Sequence, residues 1–311
     1  MIRARRRFLW LVVLLVPVLI VVTWMDSRFR WRAQFVVRKS VGSVSDFPWS
    51  HVFAGTLPHK IRDSLDFEAL RVTADRSGPG PCSVLWRTGG GSFWGRPEDG
   101  HSLEMALKYR LYDEFYLRGE SSLREGDTVI DAGAHLGTFT AFAFQRGARR
   151  VILFEPDPVN AACLRQTFLT EVRKGTVVVL EQAVWDESRV LRFRESSNSL
   201  VGRVTNDPPP RAGDAQEIEV AATTIDAAVD KLQLDRVDVM KLNVEGAERE
   251  AVLGARQTIR RFRPRIIVNL EHHADDADVI PPLIETAAPG YRILWRGREQ
   301  AFLYRSRGGL D

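Results

Sequence analysis

Hydrophobic and polar positions divide the chain into three regions of different character. The stretch "FLWLVVLLVPVLIVVTWM" at residues 8–25 is apolar and carries no charge. From about residue 127, short apolar runs bounded by turn residues alternate with stretches of helical spacing. Between these regions lie loop-rich segments such as "SGPGPC" and "TGGGSFWGRPEDG". We therefore predict a membrane anchor with basic flanks at 1–39, a linker and accessory region at 40–113, and one domain at 114–311.

The regular part of the chain predicts a doubly wound α/β fold with a mostly parallel sheet. Strands are indicated at "TVID", "VILFE", "VVVL", "VDVMKLNV" and "RIIVNLE". Helices are indicated at "DPVNAACLRQTF", capped by Asp157, at "IDAAVDKL", capped by Thr224, and at "GAEREAVLGARQTIRRF". The upstream segment "LEMALKYRLYDEFYL" predicts a further helix that packs on the sheet, and "YRILWRGREQAFLYR" predicts an antiparallel hairpin turning at Gly297.

The apolar segment predicts a transmembrane helix. Its 18 residues, at about 1.5 Å each, match the ~30 Å hydrocarbon core of a bilayer. Trp10 and Trp24 lie near its ends, where indole rings favour the interface. A cleaved signal peptide is the alternative, but its apolar core is usually about 7–15 residues and is followed by small residues. The segment "TWMDSRFR" offers no such cleavage site.

Charge and cysteine content narrow the class of protein. Residues 1–39 carry nine Lys or Arg against Asp26, which leaves a net charge of −4 for the rest of a chain whose total is +4. The main body is therefore not typical of a nucleic-acid-binding protein. The two cysteines, Cys82 and Cys163, have no CxxC spacing and no adjacent histidine. They predict neither a zinc site nor a disulfide scaffold, and free thiols fit a reducing compartment.

The segment "TVIDAGAHLGTF" carries the first candidate chemistry. A buried strand ends on Asp131, and Gly133 and Gly137 bracket a turn that leads into an apolar helix. A glycine turn of this kind is typical of a nucleotide site, and a tight turn with Asp131 as a helix cap is the plainer alternative. A carboxylate disfavours the pyrophosphate of a dinucleotide at a helix N-terminus. It suits S-adenosylmethionine, which has no phosphate, and the glycines would let that ligand lie against bare backbone.

Two residues after later strands extend the candidate cofactor site. Glu155 ends the second strand, where a carboxylate can accept hydrogen bonds from both ribose hydroxyls. NAD enzymes use the same device, so Glu155 indicates an adenosine ligand rather than one particular cofactor. Gln182 follows the third strand and is a candidate contact for the adenine edge. A plain loop role fits Gln182 equally well.

Several segments of the chain resemble the FkbM family of S-adenosylmethionine-dependent methyltransferases. They are "GDTVIDAGAHLGTFTA", "VILFEPDPVNAACLRQT", "VAATTIDAAV", "VDVMKLNVEGAEREAVLGA" and "PRIIVNLEHH", in the family's order and spacing from about residue 114 onward. The resemblance implies a class I methyltransferase fold, with a seven-stranded sheet and an antiparallel last strand, and O-methylation of sugars or natural products. It implies a cofactor site lined by Asp131, Gly133, His135, Gly137, Glu155 and Gln182, and a reaction centre faced by Lys241, Asn243, Glu245 and Glu271.

The chain departs from the family pattern at two positions. His135 stands where the family usually has Asn, and Asn243 replaces the aspartate of the family's K-I-D-V-E-G motif. An amide keeps the size and the acceptor oxygen of the aspartate but loses its charge. Asn243 can therefore replace an aspartate that positions the substrate, but not one that accepts a proton or binds a metal.

The general base has several candidates. Glu245, Glu271 and His135 are three of them, and His272 and His273 follow a strand at the sheet edge where ligands bind in doubly wound folds. The alternatives are a polar loop for the two histidines, a helix cap for Glu245 and a structural ion pair for Lys241. A metal site at "HHADDAD" is disfavoured because consecutive residues rarely converge on one ion, and we predict no metal.

The sequence as a whole predicts a single-pass membrane O-methyltransferase that uses S-adenosylmethionine. Its substrate would be a hydroxylated glycan, lipid-linked sugar or natural product, and the cofactor supply would place the catalytic domain in the cytoplasm. One alternative is a catalytically inactive cofactor-binding scaffold at the membrane, which Asn243 would allow. The other is an NAD-dependent oxidoreductase, which Asp131 and the lack of a GxGxxG sequence disfavour.

Overall fold

The computed structural model of the protein describes residues 72–77, 80–116, 123–194, 203–205, 217–270, 272–296 and 300–304. All of them belong to one compact unit, residues 63–311. Gly297 and Glu271 lie outside the described residues. The predicted turn at Gly297 and the predicted role of Glu271 in the reaction centre therefore stay predictions.

A small antiparallel sheet precedes the main fold. We call it the accessory sheet; its strands are β1 (Thr73–Ser77), β2 (Val84–Thr88) and β3 (Gly91–Gly95). The Thr88 hydroxyl accepts a hydrogen bond from Gly90 N at 3.0 Å and so closes the turn between β2 and β3. Helix α1 (Asp99–Tyr116) follows and confirms the predicted upstream helix. The sheet itself was missed, because its glycines and prolines gave the segment the composition of a loop.

The first half of the main fold alternates strands and helices as predicted. It contains β4 (Thr128–Ala132), α2 (Thr138–Gln145), β5 (Arg150–Phe154), α3 (Pro158–Thr167), α4 (Leu169–Lys174) and β6 (Val177–Leu180). Every residue of β4 is buried, as expected for a strand covered on both faces. Asp157 caps α3, since its side chain accepts hydrogen bonds from the backbone N–H groups of Val159 and Asn160.

A second small sheet interrupts the alternation. Its strands are β7 (Ala183–Val184), β8 (Arg189–Arg194), β9 (Arg203–Thr205) and β10 (Glu217–Thr223), in the order β7-β10-β8-β9. The alternating sequences of β8 and β10 bury Leu191 and Phe193 against Val220 and Ala222. Helix α5 (Ile225–Lys231) follows, and Thr224 is its N-cap, as predicted.

The second half of the main fold completes the central sheet. It contains β11 (Val239–Leu242), α6 (Glu248–Leu253), α7 (Arg256–Phe262), β12 (Arg265–Asn269), α8 (Asp276–Ala287), β13 (Arg292–Arg296) and β14 (Gln300–Tyr304). One helix was predicted over 246–262, and the structure has two. They separate at Gly254, where a Cβ atom would lie 2.1 Å from the carbonyl oxygen of Trp185. The chain therefore approaches too closely at this point for a side chain.

The central sheet has the strand order β13-β14-β12-β11-β4-β5-β6. The five strands from β12 to β6 in that order pair in parallel, whereas β14 is antiparallel to both β12 and β13. This confirms the α/β fold with a parallel sheet and a closing antiparallel hairpin. From β4, the next strands along the chain (β5 and β6) lie on one side, and β11 and β12 lie on the other. Such a change of direction places a crevice at the carboxyl ends of β4 and β11.

The two cysteines form a disulfide, which corrects the expectation of free thiols. Cys82 and Cys163 are bonded across a sequence separation of 81 residues. Cys82 lies just before β2 and Cys163 lies within α3, so the bond joins the accessory region to the main fold. The sequence could not show this because the distance between the two residues depends on how the accessory sheet packs.

No helix among the described residues is both long enough and apolar enough to cross a membrane. This finding overturns the predicted localisation, a single-pass membrane protein with a cytoplasmic catalytic domain, and we withdraw it. Residues 8–25, on which that prediction was based, lie outside the described residues.

Candidate methyl-transfer site

The candidate site lies along the carboxyl edge of four neighbouring parallel strands. Asp131 lies near the end of β4, Glu155 follows β5, Asn243 follows β11 and Asn269 ends β12. Residues from separate parts of the sequence therefore meet at one edge, as the strand order requires.

Asp131 forms an ion pair with Lys241 inside the protein. The two residues are direct partners in the β4–β11 ladder, with Nζ of Lys241 3.0 Å from Oδ1 of Asp131. The Thr140 hydroxyl donates to the other carboxylate oxygen at 2.8 Å. Lys241 also donates to the carbonyl oxygens of Gly133 at 2.7 Å and Ala132 at 3.2 Å. Lys241 thus holds the end of β4 in place, as its structural alternative predicted.

The two glycines of the turn after β4 serve the packing of the protein itself. Gly133 has φ of +77°, and a Cβ atom there would lie 1.9 Å from the carbonyl oxygen of Asn243. Gly137 has φ of +85°, and its Cβ atom would lie 2.5 Å from Phe168 and 2.8 Å from Leu164. Their missing side chains make room for neighbouring chain; that they also leave bare backbone for a ligand stays a prediction.

His135 occupies the third special backbone position of this turn. Its φ of +50° is in the left-handed region, which Asn adopts more readily than His does. Burial and then the charge of Lys241 lower the pKa of His135 to about 3, although Asp157 acts in the opposite direction. The ring is therefore uncharged at neutral pH. Its backbone N–H donates to Oε2 of Glu155 at 2.7 Å and so ties this turn to the next strand.

Glu155 is a buried carboxylate that joins two loops. Its side chain accepts hydrogen bonds from the backbone N–H of His135 and, at 3.1 Å, from that of Asp157. Burial raises the pKa of Glu155 to about 7, against the effect of these hydrogen bonds. The side chain of Asn160 also hydrogen-bonds this carboxylate and lowers its pKa. A carboxylate has about four acceptor positions, so Glu155 keeps room for a further donor such as a ribose hydroxyl.

Asn243 and Asn269 join the ends of β11 and β12. Nδ2 of Asn269 donates to Oδ1 of Asn243 at 2.9 Å. An acceptor oxygen is what this contact needs at position 243, and both an amide and a carboxylate provide one. The geometry therefore fits a positioning role at residue 243. Asn269 was not singled out from the sequence, since it reads as the polar end of a strand.

Glu248 shapes the turn between β11 and α6. Its side chain is 1% exposed, and it accepts hydrogen bonds from the backbone N–H groups of Val244 at 2.8 Å and Gly246 at 3.0 Å. These bonds hold Glu245 at φ +54° and Gly246 at φ +104°, two left-handed positions in succession. Glu248 was read from the sequence only as part of the "VEGAE" segment, and its burial explains why that segment needs the second glutamate.

His272 lies between the two glutamates of this turn. Its Nε2 atom is 3.2 Å from Oε2 of Glu245, and its Nδ1 atom is 3.0 Å from Oε1 of Glu248, a charge contact without hydrogen-bond geometry. Burial alone would lower the pKa of His272, but Glu245 and Glu248 outweigh it and raise the pKa to about 10. The ring is protonated at neutral pH, so in this arrangement it orients Glu245 rather than accepting a proton.

His273, the acidic residues that follow it and Gln182 make other contacts. His273 contacts the carbonyl oxygen of Gly246 at 3.0 Å through Nε2, and its backbone N–H donates to Asp276. Arg249 forms ion pairs with Asp275 and Asp276, two of the three acidic residues of "HHADDAD". Gln182 is half-buried after β6, and no hydrogen bond of the described residues joins it to the site.

Comparison with known proteins decides the family. The family model described as "Methyltransferase FkbM domain" matches residues 131–293, somewhat more than half of the chain. The chain belongs to the FkbM methyltransferase family. The match includes β4 from Asp131 onward and the whole of β5, β11 and β12. It also includes the turn that holds Glu245.

Two relatives show how far the likeness of this FkbM-family chain extends. The 31-O-demethyl-FK506 methyltransferase FkbM of Streptomyces tacrolimicus is 40% identical over 82 residues, which are 26% of this chain and 31% of that protein. The match therefore spans about a third of the curated relative. The crystal structure of methyltransferase FkbM from Methylobacillus flagellatus KT has a TM-score of 0.44 at 17% identity, and covers 68% of this chain and 56% of that chain.

Proposed function

We propose that this FkbM-family methyltransferase transfers a methyl group from S-adenosylmethionine to a hydroxyl group. The observation that carries the proposal is Glu155, a buried carboxylate that follows β5 and keeps room for a further hydrogen-bond donor. The acceptor would be a hydroxyl of a glycan, a lipid-linked sugar or a natural product. The curated relative is named as a 31-O-demethyl-FK506 methyltransferase, which supports a natural product as one such acceptor.

The residues at the carboxyl edge fit S-adenosylmethionine. Glu155 would bind the ribose hydroxyls, and the turn from Gly133 to Gly137 would lie beside the rest of the cofactor. Asp131 is already balanced by Lys241, so its charge holds the turn rather than meeting a ligand directly. The cofactor supplies an electrophilic methyl group on its sulfonium, and what the protein must add is alignment and removal of the hydroxyl proton.

Asn243 and Glu245, which follow β11, would perform the alignment and the removal of the proton. Asn243, held by Asn269, would position the acceptor hydroxyl; good alignment can contribute about 7–11 kcal/mol to such a reaction. Glu245, held by protonated His272, would be the carboxylate that receives the proton, and a general base typically gives a rate increase of roughly 10²–10⁴-fold. Its side chain is 23% exposed, so an acceptor can reach it.

A binding protein without turnover is the second candidate function. It is favoured by Asn243, since an amide cannot accept the proton that a carboxylate at this position could. Both candidate functions use the same cofactor site, but only the methyltransferase transfers the methyl group to an acceptor. Labelled methyl transfer to a panel of hydroxylated glycans and natural products would separate them, with Asn243→Asp as the variant that restores the family residue.

The first experiment is a calorimetric titration of S-adenosylmethionine and S-adenosylhomocysteine into the full-length protein. We expect saturable binding that Glu155→Ala weakens by about 10–100-fold, because hydrogen bonds to a charged group contribute about 1.5–3 kcal/mol. Binding should be tighter at pH 8 than at pH 6, since the pKa of Glu155 is raised to about 7 and its carboxylate is ionised above that value.

The matched control is Glu181→Ala. Glu181 is another carboxylate after a neighbouring strand, but it is exposed and forms a surface ion pair with Arg165. Its removal should leave the affinity unchanged. Failure of the folded wild-type protein to bind either ligand would sink the proposal.

A further inference from the structure

Residues outside the family match contact both loops of the candidate cofactor site. The match begins at Asp131, whereas the accessory sheet and α1 precede it. One contact is apolar: Leu136, in the turn after β4, packs with Phe93 of β3 and with Leu103 and Leu107 of α1. All four side chains are at most 1% exposed. The accessory region therefore forms a wall behind the glycine turn.

The second contact is a buried ion pair at the start of α3. Arg96 directly follows β3, and its Nη2 atom donates to both carboxylate oxygens of Asp157 at 2.8 and 2.6 Å. Its Nη1 atom donates to Oδ1 of Asn160 at 2.8 Å. The side chains of Arg96 and Asp157 are 16% and 7% exposed. Because one guanidinium nitrogen binds Asp157 and the other binds Asn160, the planar group fixes these two residues of the α3 N-terminus relative to each other.

Asp157 connects Arg96 to Glu155. Its side chain caps α3, and its backbone N–H donates to Oε1 of Glu155 at 3.1 Å. A cation of the accessory region thus holds the residue that in turn holds the carboxylate proposed to bind ribose. The charge of Arg96 also contributes to the lowered pKa of His135, which places Arg96 near the other loop.

The backbone of Arg96 is itself held on both sides. Its N–H donates to Oδ2 of the fully buried Asp99 at 2.6 Å, and its carbonyl accepts from Nε1 of Trp86 at 3.1 Å. Farther along α3, Trp94 N donates to the hydroxyl of Thr167 at 2.9 Å. The accessory sheet is therefore attached along the whole of α3, and Arg96 is presented to Asp157 in a fixed place.

We propose that Arg96 is a positioning residue of the cofactor site, acting through Asp157 on the orientation of Glu155. This inference rests on the proposed function and deepens it: a segment outside the family match sets the site's selectivity for the ribose. Without Arg96, Asp157 and the turn before α3 are free to shift, and Glu155 no longer meets both ribose hydroxyls together.

The test compares the binding of S-adenosylhomocysteine with that of its 2′-deoxyribose analogue, by calorimetry on the full-length protein. Arg96→Gln should weaken binding of S-adenosylhomocysteine about tenfold or more, since a shift near 1 Å can cost as much as 10²-fold. It should weaken the analogue much less, because the analogue lacks one of the two hydroxyls. Arg96→Lys, which keeps the charge but cannot bind Asp157 and Asn160 together in the same planar geometry, should lie between.

Arg165→Gln is the matched control. Arg165 lies within α3 and also pairs with a carboxylate, but its ion pair with Glu181 is exposed. This variant should bind both ligands as the wild type does. Thermal unfolding of every variant establishes that each is folded, and Arg96→Lys carries the test if Arg96→Gln does not fold.

The outcomes separate the inference from the proposed function. Loss of preference for the full ribose in the Arg96 variants supports the inference. Equal weakening of both ligands would show a general structural role and overturn the inference. Wild-type binding by both Arg96 variants, while Glu155→Ala weakens binding, would overturn it as well. Absence of binding by the wild type would overturn the proposed function and the inference together.

Discussion

His272 shows that two neighbouring carboxylates can turn a candidate base into a protonated cation. In the sequence it stands at a sheet edge, where a histidine is a natural base. In the structure it lies between Glu245 and Glu248, and its raised pKa of about 10 keeps it protonated. Glu245 lies 27 residues earlier in the chain. Only the pairing of β11 with β12 brings the two together, so no local pattern could predict the charge of this ring.

We expect this ion pair to stabilise the protein in a pH-dependent way. The pKa of His272 is about 10 in the folded state against an ordinary value of 6.5, so its contribution is complete below about pH 6.5. It is lost as the pH rises through about 10. His272→Gln should therefore lower the free energy of unfolding by about 2 kcal/mol at pH 6, and by less at pH 9.5.

Urea unfolding at both pH values measures this difference. His273→Gln is the control, because the ring of His273 contacts a backbone carbonyl rather than two carboxylates. A His272→Gln effect that is the same at pH 6 and at pH 9.5 would show that the ring is not held by its charge.

Elements were easier to predict than the contacts between them. The strands β4, β5, β11 and β12 were visible as short apolar runs, and Thr224 and Asp157 were recognised as caps because capping is local. Thr140 and Arg96 were missed, since their partners Asp131 and Asp157 are reached only after α2 has packed and the accessory sheet has docked. Sequence reasoning thus gave the residues that follow each strand, but not the side chains that hold them.

The turn between β4 and α2 makes a prediction at the scale of an element. Gly133→Ala should lower the free energy of unfolding by about 3 kcal/mol or more, because a left-handed backbone and a clash with the Asn243 carbonyl add together. Gly175 is the matched control: its φ is +72°, and nothing lies within 4 Å of its Cβ position. Gly175→Ala should cost about 1 kcal/mol.

Denaturant unfolding of the two glycine variants separates the conformational cost from the clash. Equal losses at the two positions would mean that β11 moves away from the turn at little cost. The close approach of Gly133 to Asn243 would then not fix the distance between the two halves of the site.

At the scale of the whole molecule, a covalent bond joins the accessory region to the main fold. Cys82 and Cys163 close a loop across 81 residues, and a disulfide typically stabilises a protein by about 2–4 kcal/mol, with larger values expected for longer loops. Cys82→Ala should therefore lower the unfolding temperature. The wild type, unfolded without reductant, should show no reactive thiol, and two after reduction.

Thiol titration and thermal unfolding check this prediction. Reductant should destabilise the wild type but leave Cys82→Ala unaffected, which makes the variant its own control. Two reactive thiols in the unreduced protein would return the cysteines to the free state that their spacing first indicated.

The accessory sheet also limits where the chain can be truncated to give a folded fragment. The family match starts at Asp131 and ends at residue 293, so its limits fall inside β4 (Thr128–Ala132) and inside β13 (Arg292–Arg296). A fragment trimmed to those limits would divide a central strand, expose Leu136 and leave Asp157 without its guanidinium. The limits of the family match are therefore narrower than the limits of the folded unit. An expression fragment should be designed on the folded unit.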